Sequence, residues 1–456
     1  MAMGRQGMRQ GDLILAWDEL PCSPGHPFYD KLQEILDEAK FDEHAEKICE
    51  PYYAGKMGAK SIPPGRYFRM HLIGYFEGID SERGLEWRCS DSLSLREFLR
   101  LGPNQRVPDH SSLSRIRTRL PLEVHENLFE FVLKLLAQNK LIVGKRLGFD
   151  ASTMAANAAL RNIESRLDGK TYREMLVELA KESGIDTPTS EDLIKLDKNR
   201  KNKKMSNKEW KSRSDGDARI AKMKNGSTHM AYKPEHAVDL DTGAIIAAEI
   251  QPADEGDTTT LPKTLQASEN NLAKIDAAPT EEAPAECVAD KGYYGRDGLK
   301  QMEDGPWKTR IAEPDRKDFN RWHGDDKARR AVYNNRARLK SGVAKEAMKL
   351  RAEKVERSFQ HTLDRGGMRR VHLRGNENIR KRYLIHVAGF NLSLIMRQSL
   401  GYGTPKGFAE RLNALFVLFV AIEDSFFAFL IVKQGNQSVF TIAPTHHRPE
   451  TYSTGR

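Results

Sequence analysis

Two patterns of apolar spacing divide the chain. Up to about residue 140 the apolar residues recur at helical intervals. GRYFRMHLIGYFEGI (65–79) spaces Phe68, Met70, Leu72, Ile73 and Tyr75 as a helix would, and LSLREFLRL (93–101) brings Leu93, Leu95, Phe98 and Leu99 near one face. In VPDHSSLSRIRTRLP, Asp109 or Ser111 is a candidate N-cap and Pro121 a stop. Arg115, Arg117 and Arg119 punctuate that helix, and HENLFEFVLKLLAQNK (125–140) follows with a Leu128–Phe131–Val132–Leu135 stripe. Short helices with an arginine-bearing member fit either a helix-turn-helix array or a helical packing domain.

From residue 141 the pattern changes. LIVGKRLGFDAS contains a short apolar run that ends in Asp150. HMAYKPEHAVDLDTGAIIAAEIQ (229–251) predicts a hairpin turning at Asp241-Thr242-Gly243. A helix is predicted in TTTLPKTLQASENNLAKI, a strand in AECVADKGYYG (285–295) ending at Asp290, and a strand in WKTRIAEP (307–314). Residues 325–361 and 376–398 read as helical. The order is β-β-β-α-β-α-β-α, a mixed α/β core interrupted by insertions.

Charge adds a direction. The chain has 456 residues, a net charge of +9 and 30% charged residues. This is a globular composition with a basic balance that favours an anionic partner. The stretch 195–224 alone carries twelve Lys/Arg against four acidic residues, as a solvated loop or a phosphate contact would. Cys22, Cys49, Cys89 and Cys287 form no CxxC pair and no zinc spacing, so free thiols in a reducing cytosol are expected. MAMGRQGMRQ is polar and basic, unlike a signal peptide. ALFVLFVAIEDSFFAFLIV (414–432) imitates a membrane span, but Glu423 and Asp424 sit at its centre. It is expected to be a buried or partner-covered helix or strand pair, with a membrane span as the lesser alternative and no membrane among the expected partners.

Three carboxylates stand out by position. Asp150 and Asp290 end apolar strands, and Glu356 lies on a late helix. On that helix Met348, Ala352, Val355 and Phe359 form a stripe predicted to pack on a sheet, with Glu356 at its border. Gly366-Gly367 ends the helix. Three carboxylates converging at one sheet edge need a counter-ion. One or two Mg2+ ions would satisfy them with hard oxygen ligands, and such ions suit in-line phosphoryl displacement. The arginines after Glu356 would then hold phosphates.

In that order the residues resemble an insertion-sequence transposase of the DDE class. The resemblance is carried by FDASTMAANAA (149–159), THMAYKPEHAVDLDTGAIIAAEIQPADEGDTTTL (228–261), VADKGYYG (288–295) and RAEKVERSFQHTLDRGGMRRVHLRGNENIRKRYLIHVAGFNLSLIMR (351–397). It covers roughly residues 50–400. It implies a ribonuclease-H-like mixed sheet flanked by helices, preceded by a mostly helical N-terminal domain. It implies Asp150, Asp290 and Glu356 as an acidic triad holding Mg2+ or Mn2+. Relatives often place Arg four residues before the Glu and Lys seven after; here those positions are Ala352 and Leu363. The nearest basic residues are Arg351, Lys354, Arg357 and Arg365, with Tyr333 and Arg336 as further contributors. Lys291, Arg336, Arg357, Arg365, Arg369, Arg370 and Arg374 are the candidate DNA contacts.

The domain expectation follows. Residues 1–140 form a helical DNA-binding or oligomerisation domain. Residues 141–400 form the catalytic domain with a basic insertion at about 160–226, and 401–456 form a tail. The expected partner is double-stranded DNA, as terminal inverted repeats and target, bound by a homodimer or larger assembly at the bacterial nucleoid in the cytoplasm. A stand-alone metal-dependent nuclease and a DNA-binding protein with an inactive core are the alternatives.

Overall fold

A computed structural model describes residues 3–4, 25–55, 58, 60–102, 104–200, 206–223, 226–314 and 324–434. Cys22, four lysines of the basic stretch (Lys201, Lys203, Lys204, Lys224) and the chain after residue 434 lie outside the described residues.

The N-terminal region is helical: α1 Pro27–Glu38, α2 Phe41–Cys49, α3 Pro64–Glu77, α4 Glu82–Ser90, α5 Leu93–Phe98, α6 His110–Arg119 and α7 Leu122–Gln138. Of the two candidate caps for α6, Asp109 does the work: its carboxylate accepts from Ser112 N. The cations of α6 differ in exposure. Arg115 faces water, whereas Arg117 is buried and paired with Glu82. Leu93 is half exposed, so α5 packs through Leu95, Phe98 and Leu99.

The core follows as β1 Arg146–Ala151, β2 Met154–Ala155, β3 Ile163–Ser165, α8 Tyr172–Glu182, α9 Ser190–Asn199, β4 Trp210–Ser212, β5 Arg219–Lys222, β6 Thr228–Asp239 and β7 Ile245–Pro252. Then come α10 Asp257–Ala273, β8 Ala285–Ala289, α11 Arg296–Glu303, β9 Trp307–Ile311, α12 Asp326–Leu339, α13 Gly342–Phe359, α14 Asn376–Leu400 and α15 Pro405–Gln434. The predicted hairpin is β6–β7, with Gly243 at φ 87° in its turn. Asp239 closes that turn by accepting from the backbone N–H groups of Asp241 and Thr242, and from those of Val143 and Gly144.

The main strands run in the order β7-β6-β1-β8-β9. β7, β6 and β1 pair antiparallel, while β1, β8 and β9 pair parallel. Three meandering strands followed by two parallel additions on the far side of the first are the ribonuclease-H-like arrangement. β3 and β4 form a separate ribbon in the basic insertion, beside α8 and α9.

Alternation along β6 assigns the faces. Successive side chains point to opposite sides of a strand. Glu235 meets Thr260 and Thr264 of α10, while His236 meets Ser358 of α13 and Tyr383 of α14. The sheet therefore lies between α10 and the α13–α14 layer. α14 also packs against α3 and α7. Sandwiched in this way, it is buried at every position from Lys381 to Met396. Its polar groups find backbone partners: Arg382 donates to Ile79 O, Lys381 to Arg117 O, and Asn391 pairs with both backbone groups of Ile245.

The sheet-facing stripe of α13 differs from the predicted one. Ala344, Ala347, Val355 and Ser358 are buried, whereas Met348 is half buried and Ala352 is exposed. The reason lies in β1. A Cβ on Gly148 would come within 3.1 Å of Arg351 Cγ and Val355 Cγ2. The helix approaches a bare backbone there through Arg351 and Val355, which fixes the buried stripe on their side of the helix and turns Ala352 away. The π-helical turn Gln360–Arg365 then carries the chain to Gly366-Gly367, where Gly367 has φ 75°.

Residues 1–405 form one compact unit and 406–456 a second. Within the second, the apolar stretch at 414–432 is helical, as part of α15. Burial within the chain is not found, since Phe416, Val417, Phe419 and Ile422 are more than half exposed, and cover by a partner is the expected alternative left. Among the described residues no helix is long and apolar enough to cross a membrane.

Candidate active site

Asp150 and Asp290 hold one level of the sheet. The parallel register pairs Arg146 with Glu286, Leu147 with Cys287 and Gly148 with Val288. The same offset of 140 residues separates the two aspartates. Each stands at the C-terminal end of its strand, where the open end of an α/β sheet exposes side chains to ligands. Local bonds orient both. Asp150 Oδ1 accepts from Ala151 N at 2.8 Å, and Asp290 Oδ1 accepts from Gly292 N at 2.8 Å.

The cation between them is Arg351 of α13. Its Nη1 lies 3.0 Å from Asp150 Oδ2 and donates to Phe149 O at 3.3 Å, and its Nη2 lies 4.0 Å from Asp290 Oδ2. Position 351 falls on the buried stripe of α13, between Ala347 and Val355. The arginine side chain thus reaches the strand ends from beneath the helix.

Glu356 lies on α13 five residues after Arg351 and is exposed. Among the described residues, no set of three or more His, Cys, Asp or Glu side chains is gathered as a metal-holding group. The structure thus brings Asp150 and Asp290 to one cation and does not draw Glu356 into a three-carboxylate cage.

A second network buttresses the Asp290 loop from the α10 side. Lys233 pairs with Asp257 at 2.6 Å and donates to Thr260 Oγ1 and Glu255 O. Glu235 is fully buried and accepts from the hydroxyls of Thr260, Thr264 and Tyr293. Burial raises the Glu235 carboxyl above its ordinary range, although those three hydroxyls and Lys233 pull the other way. Gly292 fits where it does because it has no side chain: a Cβ would meet Asp257 Oδ2 at 2.6 Å and Asp290 Oδ1 at 3.1 Å. Asp257 therefore flanks Asp290 through the Gly292 backbone.

The expected DNA contacts separate into two groups. Lys291, Arg365, Arg370 and Arg374 are exposed. Arg336 forms a bidentate pair with Glu313, and its guanidinium stands 5.3 Å from the Tyr333 ring. Arg357 pairs with Glu353 one turn back. Arg369 is held by Asp364 and donates to Ser152 Oγ and Thr153 O, so it ties down the chain just after Asp150.

Two family models match the chain. A transposase-domain family (DUF772) matches residues 18–119, and the transposase DDE domain matches residues 190–392. This chain belongs to the DDE transposases. No curated protein and no solved structure matches it. The first matched segment holds α1 to α6 of the transposase's helical region, and the second holds β4 to β9 and α10 to α13, while β1 with Asp150 lies between the two. As a transposase it is a nucleic-acid-processing protein that acts on DNA.

Sequence reasoning named Arg351 among the basic residues near Glu356 without placing it at the aspartates, and it missed Lys233, Glu235, Asp257 and Tyr293 as parts of the site. Arg351 carried a readable signal. It continues the 344–347–351–355–358 spacing, in which every other member is small or β-branched. The Lys233–Asp257 pair had none, because it joins β6 to the first residue of α10 with the whole of β7 between them.

The family generally uses divalent metal ions. The chemistry of the donors here suits one, since both strand-end groups are hard carboxylate oxygens. Arg351 fills the place between them, so the donors are present and their approach is closed.

Proposed function

We propose that this transposase cuts DNA at the ends of its element and joins the freed ends to target DNA, with Asp150, Asp290 and Glu356 holding Mg2+ or Mn2+. The level pairing of Asp150 and Asp290 at adjacent strand ends, under the helix that carries Glu356, supports this reading. A divalent ion in such a site supplies charge neutralisation at the phosphate and activation of the attacking oxygen. The chain's own residues do the rest. Lys291, Arg365, Arg370 and Arg374 present exposed cations to the DNA backbone. Arg369 holds the segment after Asp150, and the Lys233–Asp257–Thr260–Glu235–Tyr293 network holds the loop after Asp290.

Two reactions are proposed. Water attacks a phosphodiester at the element end, the P–O3′ bond breaks, and a 3′-OH is freed. That hydroxyl then attacks a target phosphodiester, forming a new P–O bond and releasing the target's own 3′-OH. Residues 1–140 are assigned to binding the terminal repeats and to oligomerisation. Residues 141–400 are assigned to catalysis, with the insertion at about 160–226 contacting phosphates. The acting form is a homodimer or larger assembly on cytoplasmic, nucleoid DNA.

The test supplies purified protein with Mg2+ and the DNA flanking its own gene, and maps nicks and joined products. Nicks at the repeat ends with strand joining support the reading. Nicks without joining favour the stand-alone nuclease. Binding without nicks favours an inactive core.

A further inference from the structure

Two carboxylates at one level of neighbouring parallel strands, whose backbones lie roughly 4.8 Å apart, repel each other unless a cation joins them. In this chain the cation is built in. Arg351 reaches Asp150 Oδ2 at 3.0 Å and Asp290 Oδ2 at 4.0 Å. Its side chain is only 12% exposed, so the guanidinium is largely shielded from water.

The hold is incomplete in two respects. The contact to Asp290 is at 4.0 Å, beyond hydrogen-bonding reach, so the guanidinium does not grip both carboxylates equally. Its Nε is buried and has no hydrogen-bond partner among the described residues. Buried Nε atoms of Arg117, Arg310 and Arg382 are likewise unpartnered, so the distinguishing observation is the loose contact to Asp290. Compare Arg369 at the same strand end, whose Nε, Nη1 and Nη2 all donate. Arg351 is the weaker fixture of the two, and it occupies the place where a divalent ion would meet both aspartates.

We propose that Arg351 is a resident counter-ion that competes with the divalent cation for Asp150 and Asp290, so that the ion enters only as the guanidinium withdraws. The inference rests on the proposed metal-holding role of these aspartates. It makes Arg351 a positioning residue whose departure opens the site.

The competition is measured by Mn2+ binding to the full chain without DNA, by calorimetry or by the loss of free-Mn2+ electron paramagnetic resonance signal. Arg351→Gln removes the charge and keeps a polar side chain of moderate length. It should bind Mn2+ at least ten-fold more tightly than the natural chain. In EDTA it should melt at a lower temperature, because the aspartates lose their counter-ion, and Mn2+ should restore the loss. The natural chain should shift little at the same Mn2+ concentration. Arg351→Lys covers the case in which the Gln variant does not fold. It keeps a cation on a differently shaped head that cannot fork, and its Mn2+ affinity should fall between the other two. Adding Asp290→Asn to either variant should abolish the gain.

Equal or weaker Mn2+ binding in the folded variants overturns the proposal, and so does a gain that survives Asp290→Asn. The two readings also fail separately. Tighter Mn2+ binding without any DNA cleavage leaves the Arg351 proposal standing and removes the transposition chemistry. Cleavage with unchanged Mn2+ affinity does the reverse.

Discussion

His236 Nδ1 lies 2.8 Å from Ser358 Oγ, and this bond fastens β6 to α13 two residues beyond Glu356. The Ser358 hydroxyl donates to Val355 O, so it accepts from the imidazole. Nε2 is then left to accept from the Tyr383 hydroxyl at 2.6 Å. The tautomer is assigned from this chain of bonds. Phe359 stacks on the same ring at 4.2 Å. His236 also pairs with Asp150 across the β1–β6 ladder. One imidazole therefore sets where the strand of Asp150 and the helix of Glu356 meet.

Ser358→Ala should expose the value of that bond. It leaves a fully buried Nδ1–H without an acceptor, which costs about 1–3 kcal/mol. Urea denaturation should show a lower midpoint with an unchanged slope. A variant as stable as the natural chain would show that the imidazole has another acceptor.

Acid should unfold the protein early. Burial, first among the causes, pushes His125, His236 and His386 down to about 3 and His361 to about 4, and holds His71 well below its ordinary value. The sign follows from the depressed values. Each ring is neutral in the fold and takes up a proton on unfolding once the pH is below about 6.5. Its contribution is complete above that pH and declines by about 1.4 kcal/mol per pH unit on the way down to the folded value. Thermal melts from pH 7.5 to 4.5 should show the transition falling steeply below about 6.5. A flat profile to pH 5 would show that these rings are not held neutral.

Gly148→Ala tests the close approach of α13. The new methyl would sit 2.6 Å from Leu240 Cδ2 and 3.1 Å from Arg351 Cγ and Val355 Cγ2. Overpacking of this kind costs about 1–3 kcal/mol. It should also displace Arg351 from the aspartates, so stability should fall while Mn2+ binding tightens. Unchanged stability would mean that the helix shifts freely over β1.

The strands and the two aspartates are legible in the sequence because each strand is a short apolar run with a carboxylate at its end. Their common level is not, since it depends on the register of β1 against β8, which no local pattern encodes. Apolarity alone places Met348 and Ala352 on the packed stripe of α13. Over Gly148 stand Arg351 and Val355, and Ala344, Ala347 and Ser358 complete the buried stripe in place of Met348 and Ala352. Arg351 is masked by its charge in a stripe of small residues. Arg369 reads as a phosphate contact because it sits in an arginine run, yet its partners Ser152 and Thr153 are more than 200 residues away in sequence. α15 is legible as apolar, but nothing in its sequence tells whether it is covered.

Separating chemistry from binding calls for two variants. Glu356→Gln keeps the side chain's size and removes one negative charge from an exposed position on α13. If Glu356 holds the ion, strand cleavage should fall by orders of magnitude, since the ion loses a hard ligand. Affinity for the terminal DNA should hold or rise slightly, because a repulsive charge has gone from the phosphate-facing side. Arg370→Ala with Arg374→Ala should act oppositely, since both cations are exposed. Each phosphate no longer neutralised should reduce the slope of log affinity against log salt by about 0.9. Arg369 is left intact in this pair because it anchors Ser152 and Thr153 beside Asp150. Gel shifts at two salt concentrations and a nicking assay on both variants complete the comparison. A Gln variant that nicks at the natural rate would reduce Glu356 to a surface charge, and a double Ala variant with an unchanged salt slope would remove these arginines from the DNA interface.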